Sequence, residues 1–248
     1  MTALQGLALA GAGLAAGTAS AMAGGASIIT FPILLAMGVP PLTANVTNTV
    51  GLSPTLIGTG LGAIPELRGQ RARIVALMPP SLAGAVAGAV LLLTTPTAVF
   101  EALVPGLIAV SCILLLLQPR LVRHTLRGGR RRRWIAQASV FIVGVYTGYF
   151  GAASGVLFLA LVGLVSVASL HELNASKNLL VGVANAVATA IFAFVAPVRW
   201  PMAAALAIGS VLGGGLGTRL VRIVPAPKLR AGIAIVGLIV AVRLALAL

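Results

Sequence analysis

Long apolar runs separated by short polar, glycine or proline gaps divide this chain into ten segments. Residues 1–65 carry no charged side chain, and neither do 74–100, 102–119, 134–170, 178–198, 200–218 or 231–242. A membrane-spanning helix needs about 20 mostly apolar residues. The pattern predicts helical segments at 3–23, 26–38, 42–62, 74–93 and 99–118, then at 134–153, 155–170, 173–195, 201–221 and 229–247. The fold class is therefore an all-α polytopic membrane protein of 8–10 membrane segments. The count is ten if both arms of every interrupted segment cross, and fewer if the arms re-enter.

The segments repeat. A shift of 130 pairs Gly25 with Gly155, Phe31 with Leu161, Asn48 with Asn178 and Thr59 with Thr189, and a shift of 129 pairs Gly84 with Gly213, Gly88 with Gly217 and Pro96 with Pro225. This predicts a first transmembrane repeat at 1–118, a basic loop at 119–133 and a second repeat at 134–248. Gly24-Gly25 and Gly151-Ala152-Ala153-Ser154-Gly155 interrupt the long first segment of each half. Paired interruptions of this kind mark broken helices around a substrate site at a repeat interface.

Composition and charge then orient the halves. The chain is 59% hydrophobic and only 8% charged, with a formal net charge of +14. Soluble domains carry about 25% charged residues. Basic residues gather in three loops, 63–73, 119–133 (seven Arg) and 219–230. If the halves are inverted, these loops share one side and hold 14 basic residues against two opposite, whereas parallel halves leave 12 against four. The positive-inside rule favours inversion, with the basic loops cytoplasmic, both termini outside and the protein in the cell's inner membrane. The run Arg127-Gly128-Gly129-Arg130-Arg131-Arg132-Arg133 reads as an anchor to anionic lipid rather than a nucleic-acid site. Cys112 is the single cysteine, which excludes an internal disulfide and a thiol relay. Ala21-Met22-Ala23 has the form of a signal-peptidase site, but no Lys or Arg precedes it, so the segment is retained as mature protein.

The candidate chemistry centres on one cation. Lys177, in Asn174-Ala175-Ser176-Lys177-Asn178, sits inside an otherwise apolar span, and a charge at membrane depth is costly enough to mark a substrate or ion pathway. The first half offers a matching polar cluster at Asn45, Thr47 and Asn48. Asn45 and Asn48 share a helical face, as do Asn174 and Asn178. Gly24, Gly25 and Gly155 permit close backbone approach, and half-helices beginning there aim positive dipole ends and free N–H groups at an anion. Ser27 and Ser154 add hydroxyl donors. His171 and Glu172 are candidates for carrying a coupling proton.

Each signal has a plainer competitor. Asn and Thr serve as glue between membrane helices, worth about 0.6–2 kcal/mol per contact. Lys177 can snorkel if its helix starts near Glu172, which is the ordinary place for an acidic residue in a first turn. Ala152-Ala153-Ser154-Gly155 has the outline of an intramembrane serine-hydrolase nucleophile with His171 as base, although Gly is missing two positions before the serine. With three acidic residues and two His, no ligand cluster of metal-binding spacing exists. No nucleotide-binding loop is present. No cofactor is expected, and a homodimer is left open.

The stretch from Gly24-Gly25-Ala26-Ser27 through Phe31-Pro32-Ile33-Leu34 to Gly38-Val39-Pro40, followed by Ala44 and Thr47-Asn48, resembles the first-repeat signature of the TauE/SafE family of probable sulfite exporters. There, glycines, Pro-x-Leu, Gly and Ala-x-x-Thr recur in that order. The resemblance covers the whole chain. The second repeat departs from it: Gly151-Ala152-Ala153-Ser154-Gly155 replaces a glycine run, Val162 stands in place of proline, and Ser176-Lys177-Asn178 stands where a Thr or Ser pair is common. The resemblance implies movement of sulfite, sulfonates or other small organic anions. The expectation is thus a secondary transporter working by alternating access on a small anion, not an enzyme. An anion channel and a hydrolase using Ser154 are the alternatives.

Overall fold

The computed structural model describes residues 2–59, 67, 69–121, 130–166 and 168–220, with scattered residues between 232 and 246. Among them every regular element is helical: α1 (Ala3–Ala23), α2 (Ala26–Ala36), α3 (Pro41–Leu52), α4 (Arg71–Thr94), α5 (Thr97–Leu121), α6 (Arg130–Tyr149), α7 (Ser154–Gly163), α8 (Leu170–Val195) and α9 (Trp200–Leu220). Of the tenth expected segment, 229–247, the described residues between 232 and 243 are helical, while most of the basic loop lies outside the described residues.

Four stretches are long and apolar enough to cross a bilayer: Arg71–Thr94, Thr97–Leu117, Glu172–Val195 and Trp200–Gly217. Helices α2 and α7, with 11 and 10 residues, reach only about 15–16 Å at 1.5 Å per residue, half of a hydrocarbon core about 30 Å thick. They do not cross, so the count of ten crossings gives way to the re-entrant alternative. The expected segment 42–62 also stops early. Pro54 has no N–H to continue the ladder, and helix resumes only at 55–59 after a turn at Ser53-Pro54.

Backbone polar groups must be satisfied within the protein when no water is near. Pro80 lies inside α4 and leaves the Ala76 carbonyl without its helical donor; Gln137 Nε2 on α6 donates to that oxygen at 3.4 Å. At the break in α3, Asn185 Nδ2 and Thr189 Oγ1 of α8 both donate to the Thr49 carbonyl at 3.3 Å. The exposed faces are apolar: Val86 and Val90 on α4, Leu103 and Val110 on α5, Ile208 and Leu212 on α9. Such faces suit acyl chains, while exposed Trp134 and Trp200 stand at helix starts, where aromatic rings meet the head-group region.

Two helix pairs form the frame. Helix α1 packs most extensively on α9, and α4 on α6. Both pairs run parallel: Ala10, Leu14 and Thr18 face Gly209, Gly213 and Gly217 in order, and Phe141 and Val145 face Gly84 and Gly88 in order. A methyl group added at Gly13, Gly17, Gly84, Gly88, Gly144, Gly148, Gly209 or Gly213 would run into a partner carbonyl oxygen. Membrane helices gain nothing from excluding lipid from lipid-like surface, so close packing through small residues holds these pairs.

Hydrogen bonds recur at an offset of 129 residues. Ser81 Oγ donates to the Leu180 carbonyl at 3.1 Å, and Ser210 Oγ donates to the Gly51 carbonyl at 3.2 Å. Ser176 Oγ donates to Gln70 Oε1 at 3.0 Å, and the Arg199 N–H donates to Thr47 Oγ1 at 3.0 Å.

Candidate functional site

Both short helices begin at glycine-bearing breaks. Helix α1 ends on Gly24, whose left-handed φ of 78° lets its N–H close onto the Ala19 and Ser20 carbonyls. Helix α2 starts two residues later with no side-chain cap. In the second half α6 closes on Gly151 (φ 75°), and the next helix starts from Ala153, the one non-glycine described with positive φ, at 57°. It too lacks a side-chain cap. Ser111 of α5 braces this second break, donating to the Ala152 carbonyl at 3.1 Å while lying 2.7 Å from the Tyr146 hydroxyl. Phe31, Phe100 and Phe150 fill the space behind it, with ring centroids 5.4 Å apart for Phe31 and Phe150.

The two breaks meet. A Cβ on Gly24 would sit 3.1 Å from Gly155 Cα, and a Cβ on Gly155 would sit 3.1 Å from Lys177 Cδ. The Lys177 stem therefore lies along the only face of Gly155 that a hydrogen leaves open. Lys177 is 2% exposed. It lies about 10 Å into α8 at 1.5 Å per residue.

Around this junction is a cavity of about 80 Å³, against roughly 10–15 Å³ needed for one water. Its wall takes Gly24 and Ser27 from the first break, Gly151, Ser154 and Gly155 from the second, and Lys177, Asn178 and Asn185 from α8. Ser53, Thr55 and Thr59, at and after the break in α3, complete the polar lining with Ser20 of α1. Among the described residues Lys177 is the one charged residue of that wall, and none of them brings a carboxylate to it. Hydroxyl and amide donors, two uncapped helix N-termini and an ammonium group face a shared space.

Of the residues expected from sequence, Lys177, Asn178, Gly24, Ser27, Ser154 and Gly155 line this cavity. The others do not. Asn45 Nδ2 donates to the Tyr149 carbonyl at 2.9 Å, Thr47 accepts from Arg199, and Asn48 accepts from Thr30. Ser176 bonds Gln70, and Gly25 packs on Leu115. Asn174 Oδ1, Asn45 Oδ1 and Asn48 Nδ2 are buried with no hydrogen-bond partner among the described residues. Glu172 is the third residue of a capping box: its Oε2 accepts from the Ser169 N–H at 2.7 Å, and its own N–H donates to Ser169 Oγ at 3.3 Å. The His171 side chain lies outside the described residues. Sequence reasoning placed Ser53 and Thr55 in the first-half polar cluster without making them site residues, and it missed Ser20 and Thr59 as lining groups. Thr59 follows the Pro54 break, and a proline in the polar stretch of an apolar span was the available signal; Ser20 had none.

Comparison with known proteins adds the family. The model of the family described as sulfite exporter TauE/SafE matches residues 9–244. The chain belongs to the TauE/SafE family. Its relatives include a probable membrane transporter protein, ORF9, from Sinorhizobium sp, 29% identical over 92% of this chain and 88% of that protein. The probable membrane transporter protein YfcA of Escherichia coli (strain K12) is 29% identical over 83% of this chain and 77% of its own length. A third, from Haemophilus influenzae, is 26% identical over 84% and 82%. No solved structure matches the chain. This TauE/SafE member is thus a multi-pass membrane protein of a transporter family, and its breaks and cavity belong to that framework.

Proposed function

We propose that this protein is a secondary transporter that moves a small anion, of the sulfite, sulfonate or related organic class, across the cytoplasmic membrane by alternating access. The observation that carries the reading is Lys177, buried beside a cavity to which no described residue brings a carboxylate, between the uncapped starts of α2 and α7. A cation and aligned helix N-termini favour a negative guest and disfavour a positive one. In this reading Lys177, Asn178, Ser27, Ser154, Gly24 and Gly155 contact the anion, and Asn45, Thr47, Asn48, Asn174, Ser176 and Gly25 shape the surrounding walls.

The two halves are inverted relative to each other, a reading supported by the opposite courses of the counterparts α4 and α9: α4 starts beside the start of α8, where Gln70 meets Glu172, and α9 starts after the far end of α8. The glycine-packed pairs tie each half to the other, so one whole half cannot rock free without separating them. The motion belongs instead to the broken elements α2–α3 and α7–α8, which move against the frame of α1/α9 and α4/α6. The basic loops face the cytoplasm.

The test uses purified protein. Thermal-shift screening against sulfite, sulfate, thiosulfate, sulfonates and carboxylates is expected to give a shift for one anion class, and Lys177→Ala to abolish both the shift and uptake into proteoliposomes. Unaltered transport kinetics in Lys177→Ala would refute the site. Saturable flux with counterflow of labelled anion supports the carrier, whereas flux linear in concentration would make the protein a channel. A hydrolase using Ser154 would instead cleave substrate, lose that activity in Ser154→Ala and move no anion.

A further inference from the structure

We infer that Gln70 and Thr47 are the two latches controlling access to the cavity, one at each face of the membrane. The inference rests on the alternating-access reading for its purpose, but its geometry is independent of the anion.

Gln70 is 8% exposed and stands immediately before α4. Its Oε1 accepts from Ser176 Oγ at 3.0 Å, and its Nε2 donates to the Glu172 carbonyl at 3.2 Å. One side chain thus fastens the first two turns of α8, including the residue next to Lys177, to the frame helix α4. The counterpart lies 129 residues away in both partners. Arg199 stands immediately before α9, and its N–H donates to Thr47 Oγ1 at 3.0 Å, fastening the start of α3 to the other frame helix. Thr47 is fully buried.

The latches occupy opposite ends of the molecule. Helices α4, α6 and α8 start at the same end: α4 runs parallel to α6, Gln70 meets the start of α8, and Arg132 near the start of α6 donates to the Val165 carbonyl just before it. Arg199 lies in the turn that follows the far end of α8. One turn further along α8, about 6 Å beyond Ser176, Ser81 bonds the Leu180 carbonyl, and one turn beyond Thr47 on α3 Ser210 bonds the Gly51 carbonyl correspondingly. These inner bonds are the pivots. Tilting α8 about the Ser81–Leu180 contact opens the end held by Gln70 and leaves the end held by Thr47 shut, and tilting α3 about Ser210–Gly51 does the reverse. Both latches are closed in this structure.

The two are unequal in a useful way. The Gln70 latch makes two side-chain hydrogen bonds to α8 among the described residues, so one substitution removes both. The Thr47 latch makes one bond to a backbone N–H, so only the hydroxyl can be deleted.

The experiment places a single reporter thiol, Ser154→Cys in a Cys112→Ala background, and measures its modification by a membrane-impermeant reagent applied to one side of oriented vesicles. Gln70→Leu is expected to raise the rate from the basic-loop side by about five- to tenfold, the shift that loss of ordinary hydrogen bonds allows, and to leave the opposite side unchanged. Thr47→Val is expected to do the mirror image, and Gln70→Glu, which keeps an acceptor for Ser176, to fall between. If Gln70→Leu does not accumulate in the membrane, Ser176→Ala removes one of its bonds from the other partner and carries the same expectation. Rates that rise equally from both sides, rise from the wrong side, or stay fixed in all variants would overturn the latches. Whether sulfite or a sulfonate slows modification of the Ser154→Cys thiol scores the anion site separately, because sidedness is read without any anion present.

Discussion

Lys177 carries a cost that the proposed anion site would offset. Insertion scales assign about 2.5–3.5 kcal/mol to a lysine at the centre of a membrane helix, and the residue is 2% exposed. Lys177→Met keeps the length of the stem against Gly155 while removing the charge. It is expected to hold or raise the unfolding temperature while abolishing anion uptake; a lower unfolding temperature would make the ammonium a structural element instead. The two left-handed residues at the breaks give a second residue-scale pair with opposite signs. Gly24, at φ 78°, has Gly155 Cα 3.1 Å from where a Cβ would go, so Gly24→Ala adds both strain and collision and is expected to cost well over the roughly 1 kcal/mol of the conformation alone. Ala153 already bears that strain at φ 57°, and Ala153→Gly is expected to stabilise by about 1 kcal/mol or slightly less after the added freedom of the unfolded chain. Thermal unfolding of the two variants in detergent checks both signs.

At the scale of elements, the frame depends on backbone contact rather than side-chain volume. Gly148 faces the Ala85 carbonyl and Gly144 the Ser81 carbonyl, so any larger side chain must push α6 off α4. Gly148→Leu is expected to lower the yield of folded protein severely, whereas the same change at Gly106, which meets nothing within 4 Å, should leave expression and unfolding temperature within experimental scatter; equal outcomes would remove the packing argument. Helix positions were largely legible in the sequence, because runs without charge and with glycine or proline at their ends admit few other structures in lipid: 3–23 and 173–195 fall inside or on α1 and α8. The end of α3 was not, since a single Pro54 in an apolar run is compatible with either a kink or a stop, and the polar groups of α8 that bond the last turn of α3 come from about 136 to 140 residues away. The site was half legible. A buried lysine and glycine breaks announce themselves through what lipid forbids, but Asn45, Thr47 and Asn48 cannot be told from lining groups by type, and only their partners on α6 and α9 and in α2 show them behind the wall. The contacts also recur at 129 through α3 and α8, one less than the sequence match of Asn48 with Asn178, which makes Asn48 the counterpart of Lys177. A neutral amide bonded to Thr30 in one half thus corresponds to the cation in the other, and the cavity is asymmetric in charge.

The whole molecule is interlocked in a way that neither repeat can reproduce alone. The first helix of each half packs on the fourth helix of the other, α1 on α9 and α6 on α4, and these are its most extensive contacts. A lone first repeat would therefore carry glycine stripes on α1 and α4 with no partner backbone to meet, and its α3 would lose the donor that Ser210 supplies to the Gly51 carbonyl. Unsatisfied carbonyls in hydrocarbon cost several kcal/mol each, more than a marginally stable chain can lose. The described helices that make this packing lie on either side of residues 122–129. Cutting the chain there separates covalent continuity from the packed frame. Fragments 1–126 and 127–248 expressed singly are expected to be degraded, while the two expressed together are expected to co-purify and restore anion uptake. Accumulation of either fragment alone as a folded, monomeric species would mean that each half owns a complete core, and the exchanged-helix frame on which the inverted cavity depends would have to be abandoned.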